Sequence, residues 1–142
     1  MKSHRRHSIS VVIATAFRAE QLVNTLCSIA KQTRSPEEVI IVDGAPAPGV
    51  KSLVEVKGRS LGLTVHYLRR TPPSAAVQRN VGAEIAREDL ILFLDDDAYP
   101  EPNCFNKMAQ IFDEDTDCRV GGVGVLISNQ PCPPPRRRAK RW

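Results

Sequence analysis

Leu90-Ile91-Leu92-Phe93-Leu94-Asp95-Asp96-Asp97-Ala98-Tyr99-Pro100-Glu101-Pro102 runs five apolar residues directly into three consecutive carboxylates. An unbroken apolar run of this length, bounded by polar residues, predicts a strand buried on both faces of a parallel sheet, although so short a run also suits a buried helical turn. The acids then stand at the strand's carboxyl end, which in open α/β sheets is the edge that faces ligands. Adjacent carboxylates repel one another. A hard divalent cation such as Mg²⁺ relieves that repulsion by taking oxygens from one or two of them and sharing others with a phosphate. Acids and prolines are also ordinary turn residues, so a solvated acidic turn remains open on composition alone.

The segments upstream give the acidic loop a frame. Ser8 to Thr15 is rich in β-branched residues and reads as an inner strand. Arg18 to Lys31 reads as a helix, with Leu22, Val23, Leu26, Ile29 and Ala30 recurring at spacings of three and four. Glu38 to Val42 is a second strand, left through the turn-rich Asp43 to Gly49. A short helix over Val50 to Val56 and a third strand over Leu63 to Leu68 follow. Ser74 has the chemistry of an N-cap for a helix reaching Arg87. Beyond the acids, Pro102 to Asp113 reads as a helix, and Arg119 to Ser128 as a last strand weakened by its glycines.

Five of these stretches together resemble family 2 glycosyltransferases. Phe93-Leu94-Asp95-Asp96-Asp97, with Pro102 beyond, looks like that family's D-x-D signature. Ser10-Val11-Val12-Ile13-Ala14-Thr15 resembles its first strand, Gln32-Thr33 the end of its first helix, Val39-Ile40-Ile41-Val42-Asp43-Gly44 its second strand, and Arg79-Asn80-Val81-Gly82 its R-N-x-G turn. They fall in the family's order and roughly its spacing, across about residues 8 to 127. The resemblance implies a Rossmann-like GT-A fold, α/β with a mostly parallel sheet flanked by helices. It also implies a nucleotide-diphospho-sugar donor, Mg²⁺ or Mn²⁺ as cofactor, and an unspecified sugar, lipid or protein acceptor.

Carried over residue by residue, the resemblance makes Asp97 the metal ligand. Asp95 reaches toward the ribose and the metal shell, Asp96 supports the loop, and Thr15, Asp43 and Arg79 hold the nucleotide. A planar guanidinium at Arg79 suits phosphate or base recognition; a solvated helix face is the alternative. Asp43 suits a base imide or ribose hydroxyls, or else stabilises its own turn. Where the family usually has an aromatic and an asparagine, this chain has Ala16 and Phe17, so base stacking passes to Phe17 or is lost, and Phe17 equally suits the core. Gly44 stands where the family often has a second acid or amide.

Composition bounds the rest. The 142 residues suit one domain. Of 20 basic residues, eight lie in residues 1–7 and 131–142, leaving 12 basic against 16 acidic residues between, a balance of −4. The overall +4 therefore belongs to the ends and gives no nucleic-acid-binding face to the fold itself, though basic tails suit a weak peripheral contact with anionic lipid. Cys27, Cys104, Cys118 and Cys132 show neither C-x-x-C pairing nor zinc-ligand spacing and read as reduced thiols, Cys27 as a small core residue. No apolar run approaches the roughly 18 residues of a membrane helix, and a cytoplasmic location is expected.

Residues 1–7 read as a basic tail, 8–130 as the nucleotide-sugar-binding domain, and the Pro/Arg-rich 131–142 as disordered. The abrupt change at 131 predicts a truncated N-terminal portion. The resemblance implies an inverting enzyme whose general base follows the D-x-D strand, and no position here matches it. Asp113, Glu114, Asp115 and Asp117 read as a solvated helix end. A catalytically inactive nucleotide-binding or scaffold fragment therefore stands beside the transferase reading.

Overall fold

The computed structural model describes residues 5–46, 49–126 and 128. The expected disordered tail from 131 lies outside them. Four strands, β1 (Ile9–Thr15), β2 (Glu38–Asp43), β3 (Val65–Arg69) and β4 (Leu90–Asp95), alternate with four helices, α1 (Ala19–Ala30), α2 (Lys51–Ser60), α3 (Ala75–Ile85) and α4 (Cys104–Glu114). All strand pairs are parallel, in the order β3-β2-β1-β4. Alternating strand and helix forces this arrangement, because parallel neighbours need a crossover long enough to return the chain to the same edge. The expected α/β class with a mostly parallel sheet is what forms.

The two inner strands carry the core. Val11, Ile13, Val39 and Ile41 face α1, α2 and α4 and bury with Leu22, Leu26, Ile29, Val54, Phe105 and Ala109. Val12, Ile40 and Val42 face the opposite way, against Val81 and Ile85 of α3. Burying each of these large side chains contributes roughly 1.5–3 kcal/mol. Gly82 lets α3 approach this closely, since a Cβ there would collide with the Val12 side chain. The Arg79-Asn80-Val81-Gly82 stretch lies inside α3, within the helix expected from Ser74 to Arg87 and not in the turn that its likeness to the R-N-x-G motif suggests, and its glycine serves close packing.

Strand β4 departs from expectation. It occupies the sheet edge, and only Leu90, Leu92 and Leu94 pack on the core while Ile91 and Phe93 stay exposed on the α3 side. Double burial fails because α3 packs over β1 and β2 and leaves the middle of β4 uncovered on that side. The last strand expected over 119–128 does not form among the described residues. Its glycines weaken extended pairing, and residues 120–123, 125 and 126 instead line hollows beside β4 and α4.

At the amino edge of the sheet, polar groups close on one another. Glu38 is buried and accepts from the Ser10 hydroxyl (2.5 Å) and the Arg87 amide (2.9 Å), with His66 Nε2 at 3.3 Å. Asp113 accepts from the buried Arg34 guanidinium (2.6 Å) and from the amide and Nδ1 of His7 (2.8 and 3.0 Å). It is no solvated helix end: although burial alone would raise its pKa, these bonds hold its carboxyl well below the usual carboxylate range. Arg5, too, pairs with a carboxylate at this edge, Asp89.

Candidate functional site

The strand register decides which side chains meet at the carboxyl edge. Thr15 is level with Asp43, and Ala14 with Asp95, so the exits of β1, β2 and β4 open side by side. A cleft of about 400 Å³ lies there, lined by the β1 exit from Ala14 to Ala16, Arg18, the start of α3 from Pro73, and Gln78, Arg79 and Asp95 to Asp97. Three separate stretches of chain build it.

The three acids differ in what they have left to offer. Asp96 turns inward, accepting from the Thr15 hydroxyl (2.7 Å) and from Arg18 Nη1 (3.2 Å), while its carbonyl accepts from Thr25 Oγ1 (2.8 Å). Its side chain is 8% exposed, so it fastens the loop to β1 and α1. Asp97 is 52% exposed and, among the described residues, accepts only from Arg18 Nη1 (3.1 Å). Asp95, 64% exposed, pairs with Arg79 Nη2 at 2.5 Å. Two carboxylates thus keep most of their lone pairs toward the cleft, each facing one arginine.

Two glutamines brace the loops: Gln78, which carries no signal in the sequence, and Gln32, legible there only as the end of the first helix. Gln78, buried on α3, donates from Nε2 to the carbonyls of Thr15 (2.8 Å) and Val42 (2.6 Å) and accepts at Oε1 from the Ser74 amide (2.9 Å). It clamps the exits of β1 and β2 to the start of α3; Ser74 occupies the N-cap position without a side-chain cap bond. Gln32 donates to the Glu101 carbonyl (2.8 Å) and accepts from the Phe105 amide (3.0 Å), fixing the far end of the acidic loop to α4. Thr33 adds its amide to the Pro102 carbonyl (2.7 Å).

Asp43 and Phe17 stand outside the cleft lining. Asp43 is buried, its Oδ1 accepting from the Ala45 amide (2.9 Å) and its Oδ2 from the Tyr67 hydroxyl (2.8 Å). Burial, with that hydrogen bond, pushes the tyrosine up to about 12. Phe17 has φ +62°, the left-handed region that costs a bulky residue on the order of 1–3 kcal/mol, and its ring is 72% exposed at the rim. The sequence therefore indicates Thr15, Arg79, Asp95, Asp96 and Asp97, which do converge. Arg18 and Gln78 have no site role legible in the sequence, and Gln32 reads there only as a helix end, because the partners that define them lie some 60 to 80 residues away.

The acids' oxygens are hard donors of the kind Mg²⁺ and Mn²⁺ prefer. Among the described residues no three His, Cys, Asp or Glu side chains converge into a cage. The donor set accordingly suits an ion shared with phosphate oxygens rather than one enclosed by protein. No described helix is long and apolar enough to cross a membrane.

Similar proteins bear on this cleft. The family profile described as Glycosyl transferase family 2 matches residues 10–138. An uncharacterised glycosyltransferase of Haemophilus influenzae is 30% identical over 136 residues, covering 89% of this chain and 45% of that protein. Staphylococcus aureus TarS 1-349 in complex with UDP-GlcNAc superimposes with a TM-score of 0.63 at 26% identity, covering 75% of this chain and 31% of that one. Likeness of fold alone extends to the mannosyltransferase PcManGT of Pyrobaculum calidifontis in complex with GDP-Man and Mn²⁺, with a TM-score of 0.68 at 24% identity over 82% of this chain and 34% of that one. The chain spans less than half the length of the curated relatives it matches.

Proposed function

The chain belongs to glycosyltransferase family 2, and from that premise we propose that the cleft at the carboxyl edge of its sheet binds a nucleotide-diphospho-sugar donor for transfer of the sugar to an acceptor. The convergence of Thr15, Arg79, Asp95, Asp96 and Asp97 from three strand and helix ends on one cleft carries this reading. The TarS neighbour in complex with UDP-GlcNAc supports the ligand class.

Each residue's part follows from its surroundings. Asp97, exposed and singly partnered, is the carboxylate available to ligate Mg²⁺ or Mn²⁺, and Asp95 completes the shell or meets the ribose. The ion, when bound, stabilises negative charge on the departing diphosphate as a Lewis acid. Asp96 and Thr15 spend their hydrogen bonds on each other and hold the loop that presents Asp97. Arg79 offers a guanidinium to phosphate or base. The start of α3, with its unsatisfied amides, lies along the same wall and favours negative charge. Phe17 presents a ring at the rim on which a base can stack. Asp43, level with Thr15 but outside the cleft lining, recognises the nucleotide only if Tyr67 yields its bond.

A second reading, nucleotide binding without transfer, rests on the placement of Asp113. That carboxylate is consumed by Arg34 and His7 at the opposite edge of the sheet and is unavailable as a base for an acceptor in the cleft. Ligand-observed NMR with UDP- and GDP-sugars in Mn²⁺ tests the binding step. The proposal expects saturable binding that the matching nucleoside diphosphate displaces, and no binding of any nucleotide sugar would overturn it. Nucleotide release stimulated by an acceptor separates transfer from binding alone.

A further inference from the structure

We propose that Arg18 is the cleft's own counter-cation: it neutralises Asp96 and Asp97 while no donor is bound, competes with a divalent ion for Asp97, and crosses to the donor's diphosphate when the ion arrives. This rests on the donor reading above and adds to it a residue that the family resemblance left without a role.

The geometry is that of a cation between two anions. Arg18 Nη1 is 3.2 Å from Asp96 Oδ1 and 3.1 Å from Asp97 Oδ2, so one nitrogen bridges the two acids. Their grip is unequal. Asp96 has the Thr15 hydroxyl as a second partner and is buried, whereas Asp97 has Arg18 alone and is half-exposed. An ion pair that open to water is worth only about 0–1 kcal/mol and exchanges readily. The Arg18 side chain is itself half-exposed and lines the cleft, so it has room to turn.

Local backbone aims it there. Phe17, immediately before, takes the left-handed conformation with its ring outward, while Arg18 points back to the acids and its carbonyl accepts the Leu22 amide (3.0 Å) that starts α1. The other arginine of the cleft, Arg79, is engaged separately with Asp95.

Charge then dictates the movement. A divalent ion on Asp97 places two positive charges beside the guanidinium and removes its attraction to that carboxylate. A diphosphate shared with the same ion offers a replacement anion within the cleft, and arginine makes its strongest hydrogen bonds to such oxygens. Arg18 should therefore oppose binding of the ion alone and favour binding of ion and diphosphate together. A structural role would move both in the same direction.

The test uses the full chain, Arg18→Ala and Arg18→Lys. Free Mn²⁺ is titrated by electron paramagnetic resonance without nucleotide, and UDP and GDP are titrated calorimetrically in saturating Mn²⁺. Arg18→Ala is expected to tighten Mn²⁺ binding about two- to fivefold, matching the loss of an exposed ion pair. It is expected to weaken binding of the preferred nucleotide about tenfold, matching the loss of a hydrogen bond between charged groups. Arg18→Lys should fall between. Equal thermal melting of the three proteins guards against misfolding, and a variant that melts early is judged on Arg18→Lys. Unchanged constants, or two constants that fall together, would overturn the inference. If the wild-type chain binds Mn²⁺ but neither nucleotide, the donor reading and the crossing to diphosphate both fail, while the Mn²⁺ titration still decides the competition.

Discussion

The two edges of one sheet hold carboxylates in opposite conditions. At the amino edge Glu38, Asp89 and Asp113 are matched by the chain's own donors: Ser10 and the Arg87 amide, Ser8 and Arg5, Arg34 and His7. Hydrogen bonds outweigh burial at Glu38 and Asp113, and all three carboxyls titrate below their ordinary range. At the carboxyl edge Asp43 and Asp96 are closed in, while Asp95 and Asp97 face a cleft, Asp95 beside Arg79 and Asp97 beside Arg18. Carboxylates that stabilise a fold are consumed by it; those able to bind something else are left partly unspent. Sequence position alone does not separate the two sets, since all lie at the ends of strands or helices.

The sharpest way to break this comparison is at Asp113. Asp113→Ala strands the buried Arg34 guanidinium and should cost roughly 3 kcal/mol, read as a fall in the urea midpoint. Nucleotide affinity of the folded variant should stay within about twofold, because single-site effects far apart are independent. Weakened nucleotide binding at unchanged stability would show that the two edges are not separate.

Acid should loosen the amino edge next. A folded pKa below the unfolded one contributes stability that is present above the unfolded value and lost as pH falls through the folded value. For Asp113 and Glu38 that window opens near pH 4, where free carboxyls titrate, and extends downward. Asp113→Asn should flatten the acid limb of a stability-versus-pH curve, and an unchanged limb would contradict the assignment of that acid sensitivity to the Arg34 and His7 contacts. A smaller effect is expected at Thr15→Val, which keeps the side-chain shape but removes the hydroxyl from Asp96. It should cost about 1 kcal/mol in chemical denaturation and loosen nucleotide binding in Mn²⁺. Smallest in stability is Asp97→Ala, within about 0.5 kcal/mol by the same assay, as befits an exposed group with a single rim partner.

Legibility in the sequence follows the same division. Strands β1 and β2 are continuous apolar runs covered on both faces, and their expected limits fall within a residue of those observed. Strand β4 carries the same signal, but five apolar residues in a row report two apolar faces and not that both are covered; strand order decides that. Helix α2 runs to Ser60, past its expected end at Val56, through Gly58, which intrinsic propensity counts against by about 1 kcal/mol. A Cβ at Gly58 would strike the Val65 side chain, so packing on β3 favours the glycine. Cys27, read as core, is half-buried on α1. In the cleft, the acids, Thr15 and Arg79 belong to recognisable strand and helix ends. Arg18 and Gln78 are single polar residues whose part in the site comes chiefly from distant partners, and Gln32, though part of a recognisable helix end, likewise owes its bracing role to Glu101 and Phe105.

Calorimetry of UDP and GDP with and without a chelator, on the wild-type chain, Asp97→Ala and Glu114→Ala, tests the central claim most directly. Asp97 lies on the cleft, whereas Glu114 ends α4 and pairs with Gln110 (2.6 Å). The account predicts nucleotide binding only with Mg²⁺ or Mn²⁺ in the wild-type chain and in Glu114→Ala, and loss of that metal-dependent binding in Asp97→Ala. Equal affinity with and without chelator, or identical behaviour of the two variants, would contradict it.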